Sequence, residues 1–344
     1  MTATVTDNNS ESAGGGGRRL IDPFQRDITY LRLSVTDRCN LRCTYCMAEN
    51  MTFLPRQQIL SLEEMETIAG AFVELGIRKI RLTGGEPLAR NGIVKLVDAL
   101  ARLDGLDELV MTTNGIMLPR HARALKDAGM GRLNISLDTL DPDRYRAMTR
   151  VGELEDALAG IRAAQQLDFG RIKLNAVILA GVNDDEVVDL ARFAVDEGLD
   201  ISFIEEMPLG HISSHERRQT QVASQRIRER LNDNFQLVAS AENTGGPSRY
   251  HRVEGADTRI GFISPMTDNF CASCNRVRLT VEGRLLLCLG NDHSLDLKEV
   301  VRRYPGEDER LRNAIIGAIA RKPERHHFDP ERTDIVRFMN ATGG

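Results

Sequence analysis

The chain has no apolar run that approaches the ~18–20 residues of a membrane-crossing helix, so no membrane partner is expected. Its first twenty residues are rich in Ser, Asn, Thr and Gly, with Gly14 to Gly17 consecutive, and lack the apolar segment of a signal peptide. Residues 1–20 therefore read as a disordered tail, and a cytoplasmic chain is expected. An excess of positive charge is also missing: the net charge of −5 excludes a generic nucleic-acid or anionic-membrane surface, so any anion site has to be a local basic cluster. No G-x-x-x-x-G-K-[ST] loop exists, which excludes a P-loop phosphate site. Cysteine is too sparse for a secreted disulfide scaffold: six in 344 residues, grouped three and three, read as ligands.

What is present is an ordinary α/β composition, 41% hydrophobic and 28% charged, long enough for one large domain with an extension or for two domains. Short β-rich alternating stretches at 30–36, 79–83, 108–112, 132–136, 172–179 and 200–205 are each followed by amphipathic or helix-prone segments. The first helix opens at a capping box, Ser61 with Glu64, and runs to about 75; others cover 92–103, 119–128, 153–167 and 184–197, the last with Asn183 as N-cap. Six strand-then-helix units imply a parallel sheet with right-handed crossovers. Six is short of a closed eight-unit barrel, so an open, partial (β/α)6 barrel is expected over 21–207. From 208 the pattern changes to a C-terminal α+β extension, 208–344. Strands are expected near 235–238 and 259–263, a hairpin over 275–280 and 284–287 that turns at Glu282 and Gly283, and helices at 295–303 and 307–321.

The candidate chemistry falls where strands end, the ligand-binding edge of parallel α/β sheets. Cys39, Cys43 and Cys46, spaced C-x3-C-x2-C, follow the first strand. Thiolates so spaced can hold a cubic iron–sulfur cluster from one side, three ligands for four irons, leaving one iron open. A ferredoxin or a zinc site would want a fourth ligand, and the nearest histidine in sequence is His121; buried structural thiols are the plain alternative. Cys271, Cys274 and Cys288 form a second group with the same shortage. A second open-iron cluster fits it, as does a zinc site completed by His293. Arg32, Arg81 and Lys173 alternate within apolar strands, and Arg276 and Arg278 share one face of a strand beside the second cysteine pair. Outward-facing strand positions would account for any one of them; five converging on cysteine-bearing loops favour a polyanionic ligand, which Arg forks suit. Gly84, Gly85, Glu86 and Pro87 read as a strand-to-helix turn, Met207 as core, and His326 with His327 as solvent-facing without a metal.

The cysteine triad with Tyr45 before its last member resembles the signature of radical S-adenosylmethionine enzymes. Together with Gly84 to Pro87, Thr112 to Gly115, Asn134 to Asp138, the second triad and the terminal Gly343 and Gly344, it closely resembles the GTP 3′,8-cyclase family of molybdenum cofactor biosynthesis, from about 29 to 344. The resemblance implies two 4Fe–4S clusters, with the first binding S-adenosylmethionine at its open iron and releasing a 5′-deoxyadenosyl radical. That radical would take hydrogen from C3′ of GTP, and the C3′ radical would attack guanine C8 to give 3′,8-cyclo-7,8-dihydro-GTP. It implies Tyr45, Gly85, Ser136 and Met207 as cofactor contacts. Arg32, Arg81, Thr112, Lys173, Arg276, Val277 and Arg278 would contact GTP, with guanine on the second cluster. Arg276, Arg278, Gly343 and Gly344 would act in catalysis, the last two as a tail threading the barrel. An external electron donor, a downstream cyclic pyranopterin monophosphate synthase and a homodimer are implied as partners, with no nucleic acid. One departure stands out: many members have Arg where this chain has Ser202. The rival readings are a peptide-modifying radical enzyme with an auxiliary cluster and a non-enzymatic iron–sulfur electron carrier.

Overall fold

The computed structural model describes residues 19–210, 212, 217–291, 293–329 and 338–343. Apart from Arg19 and Leu20 the expected tail lies outside the described residues, as does Gly344. The strands and helices alternate as β1 (Tyr30–Ser34), α1 (Leu62–Glu74), β2 (Lys79–Thr83), α2 (Ile93–Ala101), β3 (Glu108–Thr113), α3 (Leu118–Asp127) and β4 (Arg132–Ser136). They continue with α4 (Pro142–Thr149), α5 (Leu154–Gln165), β5 (Lys173–Ile178), α6 (Val187–Asp196) and β6 (Asp200–Glu205). The extension adds α7 (Arg217–Thr220), α8 (Ser224–Asn232), β7 (Leu237–Ala239), β8 (Arg249–Val253), β9 (Arg259–Ile263), β10 (Arg276–Leu279), β11 (Arg284–Leu286) and β12 (Ser294–Asp296). It ends with α9 (Leu297–Arg303), α10 (Asp308–Ile319) and α11 (Met339–Thr342).

All twelve strands join one sheet, in the order β12-β11-β10-β1-β2-β3-β4-β5-β6-β9-β8-β7. β1 to β6 are parallel neighbours in chain order, and no pairing joins β7 to β12 among the described residues. The result is a partial β/α barrel with additional α+β elements. The extension contributes to both edges: β10 lies parallel to β1, and β9 lies parallel to β6. Sheet hydrogen bonding thus runs unbroken past the change of pattern at Met207.

The period of two explains what each strand does. Leu31, Leu33, Ile80, Leu82, Leu133 and Leu174 are fully buried in the core that the helices cover. The residues between them, Arg32, Arg81, Asn134 and Lys173, line a cavity on the other face. The helix over β1 starts where Ser61 and Glu64 form the reciprocal capping box read from sequence. Two expectations need correction. Asn183 makes no side-chain cap; it is fully buried, and its Nδ2 donates to Asp138 O (2.7 Å) and Val177 O (2.9 Å) while its Oδ1 accepts from Leu179 N. Tertiary contact with two strand ends outcompetes the local cap. His326 is not turned to solvent: it lines the cavity, with Nε2 3.0 Å from Pro265 O. α4 and β8 carry no signal strong enough to have been read; β8 is Arg-Tyr-His-Arg-Val, with a polar face that alternation alone does not distinguish from loop.

Candidate functional site

The loop after β1 is held open by backbone rather than by its thiols. Thr36 O accepts from Gly85 N (2.8 Å) and Arg38 O from Glu86 N (2.8 Å), so the turn after β2 is laid directly on the cysteine loop. A Cβ on Gly85 would run into the Arg38 and Asp37 carbonyl groups, which is why glycine is needed here. Glu86 is fully buried and ties β2 to β3: Oε1 accepts from Thr113 Oγ1 and Leu88 N, and Oε2 from Asn114 N. Burial pushes its carboxyl up. Tyr45 OH donates to Asp138 Oδ2 (2.6 Å) and Asp138 Oδ1 accepts from Val177 N (2.8 Å), so the cysteine loop is anchored to β4 and β5 as well. Burial outweighs those bonds and raises the Asp138 carboxyl to about 6.

All six cysteines are free thiols. Burial raises Cys39 to about 11 and pushes Cys43 well up, helped in Cys43 by the charges of Cys46, Asp138 and Cys39 around it. Three thiols on one loop, free of any disulfide, with Cys39 and Cys46 acting on Cys43, are a donor set that suits a multi-iron cluster. The second group opens onto a cavity: Cys271, Cys274 and Cys288 all line it. Burial raises Cys274, but Arg276 and Lys322 outweigh it and bring the thiol down to about 7. Lys322 is 3% exposed; its Nζ donates to Leu287 O (2.5 Å) and Arg276 O (2.9 Å) and stands 3.9 Å from Cys274 Sγ. No group of three His, Cys, Asp or Glu side chains is close enough to grip a single ion among the described residues. His293 is exposed and does not line the cavity with the three cysteines.

The cavity beside the second cysteine group comprises ≈ 1150 Å³ of empty space, its open mouth included. Its described lining includes Arg32, Lys79, Arg81, Lys173, Arg276 and Arg278, six cations, and no carboxylate. Register explains the convergence: Arg278, Arg32 and Arg81 stand abreast on β10, β1 and β2, and Arg276, Tyr30 and Lys79 form the next row. Like charges abreast on a sheet are unfavourable. Burial lowers Arg32 to about 10 and Arg278 well down, with the neighbouring arginines adding to both. Burial lowers Lys173 too, opposed by Tyr250, whose OH is 3.2 Å from its Nζ. Thr112 accepts Arg81 Nη1 at 3.0 Å.

Of the residues singled out from sequence, the five basic ones, Thr112, Val277, Met207 and the second cysteine group share this cavity. Cys39, Cys43, Cys46, Tyr45, Gly85 and Ser136 are not in its described wall. Gly343 reaches the rim: its carbonyl oxygen accepts from Arg278, its φ is +79°, and a Cβ there would run into Thr83 Oγ1. Asn340, fully buried in α11, donates to Asp37 O (2.9 Å) and so fastens the end of the chain to the first cysteine loop. Ser202 is fully buried with its Oγ 2.9 Å from Ser248 Oγ. Sequence reading missed Tyr30, Lys79, Tyr250 and Lys322. Lys79 and Tyr30 stand two residues before Arg81 and Arg32, so the same alternation could have found them; nothing local marks Lys322.

Comparison with known proteins agrees with this geometry. The Radical SAM superfamily model matches residues 33–194, and the Molybdenum Cofactor Synthesis C model matches 199–328. The chain is 62% identical over 327 residues to a GTP 3′,8-cyclase of Pseudomonas entomophila, covering 94% of this chain and 98% of the relative. It is 57% identical over 327 residues to that of Ectopseudomonas mendocina, covering 95% and 99%. The chain belongs to the GTP 3′,8-cyclase family. The radical SAM partial barrel common to that family also appears in Streptococcus suis SuiB solved with S-adenosylmethionine, at TM-score 0.61 and 15% identity over 83% of this chain and 68% of SuiB. That likeness is one of fold. No helix among the described residues is long and apolar enough to cross a membrane.

Proposed function

We propose that the chain is a radical S-adenosylmethionine GTP 3′,8-cyclase, catalysing the first step of molybdenum cofactor biosynthesis. The observation that carries the reading is the cavity with six cations and no carboxylate in its described lining, walled on one side by Cys271, Cys274 and Cys288 and tied through α11 to the Cys39 loop. In this reading Cys39, Cys43 and Cys46 hold one 4Fe–4S cluster and Cys271, Cys274 and Cys288 a second. Three thiols apiece, without a disulfide, fit that assignment. When bound, the first cluster with S-adenosylmethionine supplies the 5′-deoxyadenosyl radical that removes hydrogen from C3′ of GTP.

The chain's own residues bind and orient. The Gly85 backbone, Ser136, Tyr45 and Met207 border the place for the cofactor, at the ends of β2, β4 and β6 and on the cysteine loop. Arg32, Arg81, Lys173, Arg276 and Arg278 take the triphosphate and guanine, with Thr112 steadying Arg81 and the backbone of Val277 running between the two arginines of β10. Five cations gathered on one cavity repel one another, and an anion among them relieves that cost, which favours GTP over a neutral peptide. Gly343, held by Arg278, serves to orient GTP so that C3′ meets the radical and then C8. The downstream partner is a synthase that turns the cyclised nucleotide into cyclic pyranopterin monophosphate; an external donor supplies the electron, and the chain works as a homodimer. The test is anaerobic reconstitution with iron and sulfide, followed by GTP, S-adenosylmethionine and a reductant. Formation of 3′,8-cyclo-7,8-dihydro-GTP with one 5′-deoxyadenosine is expected; 5′-deoxyadenosine without cyclised nucleotide would overturn the assignment.

A further inference from the structure

Six cations face one cavity, and any acceptor that reaches in among them bears on how they are held before an anion arrives. Tyr30 is such an acceptor. In register it stands between Arg276 on β10 and Lys79 on β2. Its phenol oxygen accepts the Arg81 Nε–H. Its ring lies 5.2 Å from Lys79 Nζ and 6.0 Å from Arg81 Cζ. Among the described residues, the other charges that face it are cations: Arg32 on its own strand, Arg276 and Arg278 on β10, and Lys173 on β5. Glu108 on β3 is turned to Lys79 Nζ (2.5 Å) and Arg132 Nη2 (2.6 Å), and Tyr250 is taken up with Lys173 and Thr244. Burial raises the Tyr30 phenol, but Arg81, Arg32 and Lys79 outweigh it and bring it down to about 7.

Resting on the reading of this cavity as the GTP site, we propose that Tyr30 is a positioning residue that stands in for substrate phosphate. Its ionised oxygen holds Arg81 in place before GTP binds and takes up a proton from solvent when the phosphates engage the cations. No other bond changes: phenolate plus proton gives phenol, and Arg81 keeps Nη1 on Thr112 throughout. The sign of the linkage follows. The complex carries one proton more than the free protein, so GTP affinity falls as pH rises above about 7, by up to about tenfold per pH unit. Near pH 8 the terminal phosphate of free GTP is already ionised, so the nucleotide contributes no uptake of its own.

The experiment is anaerobic calorimetry of GTP binding to the reconstituted protein at pH 8, in two buffers of different protonation enthalpy. The parent is expected to take up about one proton per GTP. Tyr30→Phe, which keeps the ring and its packing, should lose more than about half of that uptake, and its affinity should no longer fall between pH 7 and 9. Tyr250→Phe should keep the larger part. A parent that binds GTP without proton uptake overturns the inference with no variant needed, and so does equal uptake by parent and Tyr30→Phe. A parent that binds no GTP overturns the reading of the cavity and this inference with it.

Discussion

The loop of Cys39, Cys43 and Cys46 faces carboxylates, whereas Cys271, Cys274 and Cys288 sit among cations. Glu86 and Asp138, both buried, flank the first group and help burial push up Cys39 and Cys43 respectively, with Arg42 opposing at Cys39. Arg276 and Lys322 flank the second and bring Cys274 down to about 7. With the same three thiols, the two surroundings differ in the sign of their charge. Net charge and hydrogen bonds tune an iron–sulfur site: a negative surrounding favours giving up an electron, and a positive one favours holding an anionic ligand beside the metal. One of those cations, Arg276, also lines the cavity, so the second group and the cavity share it.

The sharpest way to break the comparison is to remove one thiol from each side. Cys39→Ser should abolish cleavage of S-adenosylmethionine, whereas Cys274→Ser should keep cleavage and lose cyclisation; product and 5′-deoxyadenosine measured in one anaerobic assay decide it. Equal loss of both products in both variants would mean that the groups do not divide the work. Next in size is the rim. Gly343→Ala should leave the fold, iron content and GTP affinity near the parent's and lower 3′,8-cyclo-GTP formation by roughly 100-fold, because misplaced reacting groups cost about that much. Deuterium transfer from 3′-deuterated GTP into 5′-deoxyadenosine is the check, and transfer at the parent rate would make the tail an ordinary chain end.

A smaller effect is expected from the cations. Arg276→Ala or Lys173→Ala should weaken GTP binding by about 10- to 100-fold, the loss of one charge-assisted contact, with S-adenosylmethionine cleavage still supported at the first group. Calorimetry with GTP is the measurement; parent-like affinity in both variants would remove the cavity from the substrate path. The smallest effect sharpens the contrast itself. Lys322→Met leaves the carbonyls of Leu287 and Arg276 without their buried donor, at a cost of roughly 2–4 kcal/mol in stability. Iron bound by the second group should fall while that of the first stays. Thermal melting with iron analysis by site, using Cys39→Ser and Cys274→Ser backgrounds to separate the two, tests it.

Much of this was legible in the residues. Strands β2 and β4 and β6 began and ended where alternation and β-branched content placed them, and the Ser61–Glu64 box opened α1 as expected. Local pattern is reliable there because each strand is buried on its helix side, which forces apolar residues at every second position. It failed at Asn183 and His326, where the sequence neighbours look like a cap and a polar end, but distant backbone supplies the partners.

By itself the sequence determined which residues carry chemistry: two sets of three cysteines, each short of a fourth ligand, and basic residues in strand alternation. Those are facts of composition and spacing, and no folding is needed to count them. Only the tertiary structure decided that β10, some 240 residues after β1, pairs with it in the register that puts Arg278, Arg32 and Arg81 abreast and Tyr30 between Arg276 and Lys79. The same holds for Lys322 beside Cys274 and for Gly343 beneath Arg278. Strand register over such separations is set by the packing of whole faces and by the extension closing onto both sheet edges, and no local run of residues encodes it.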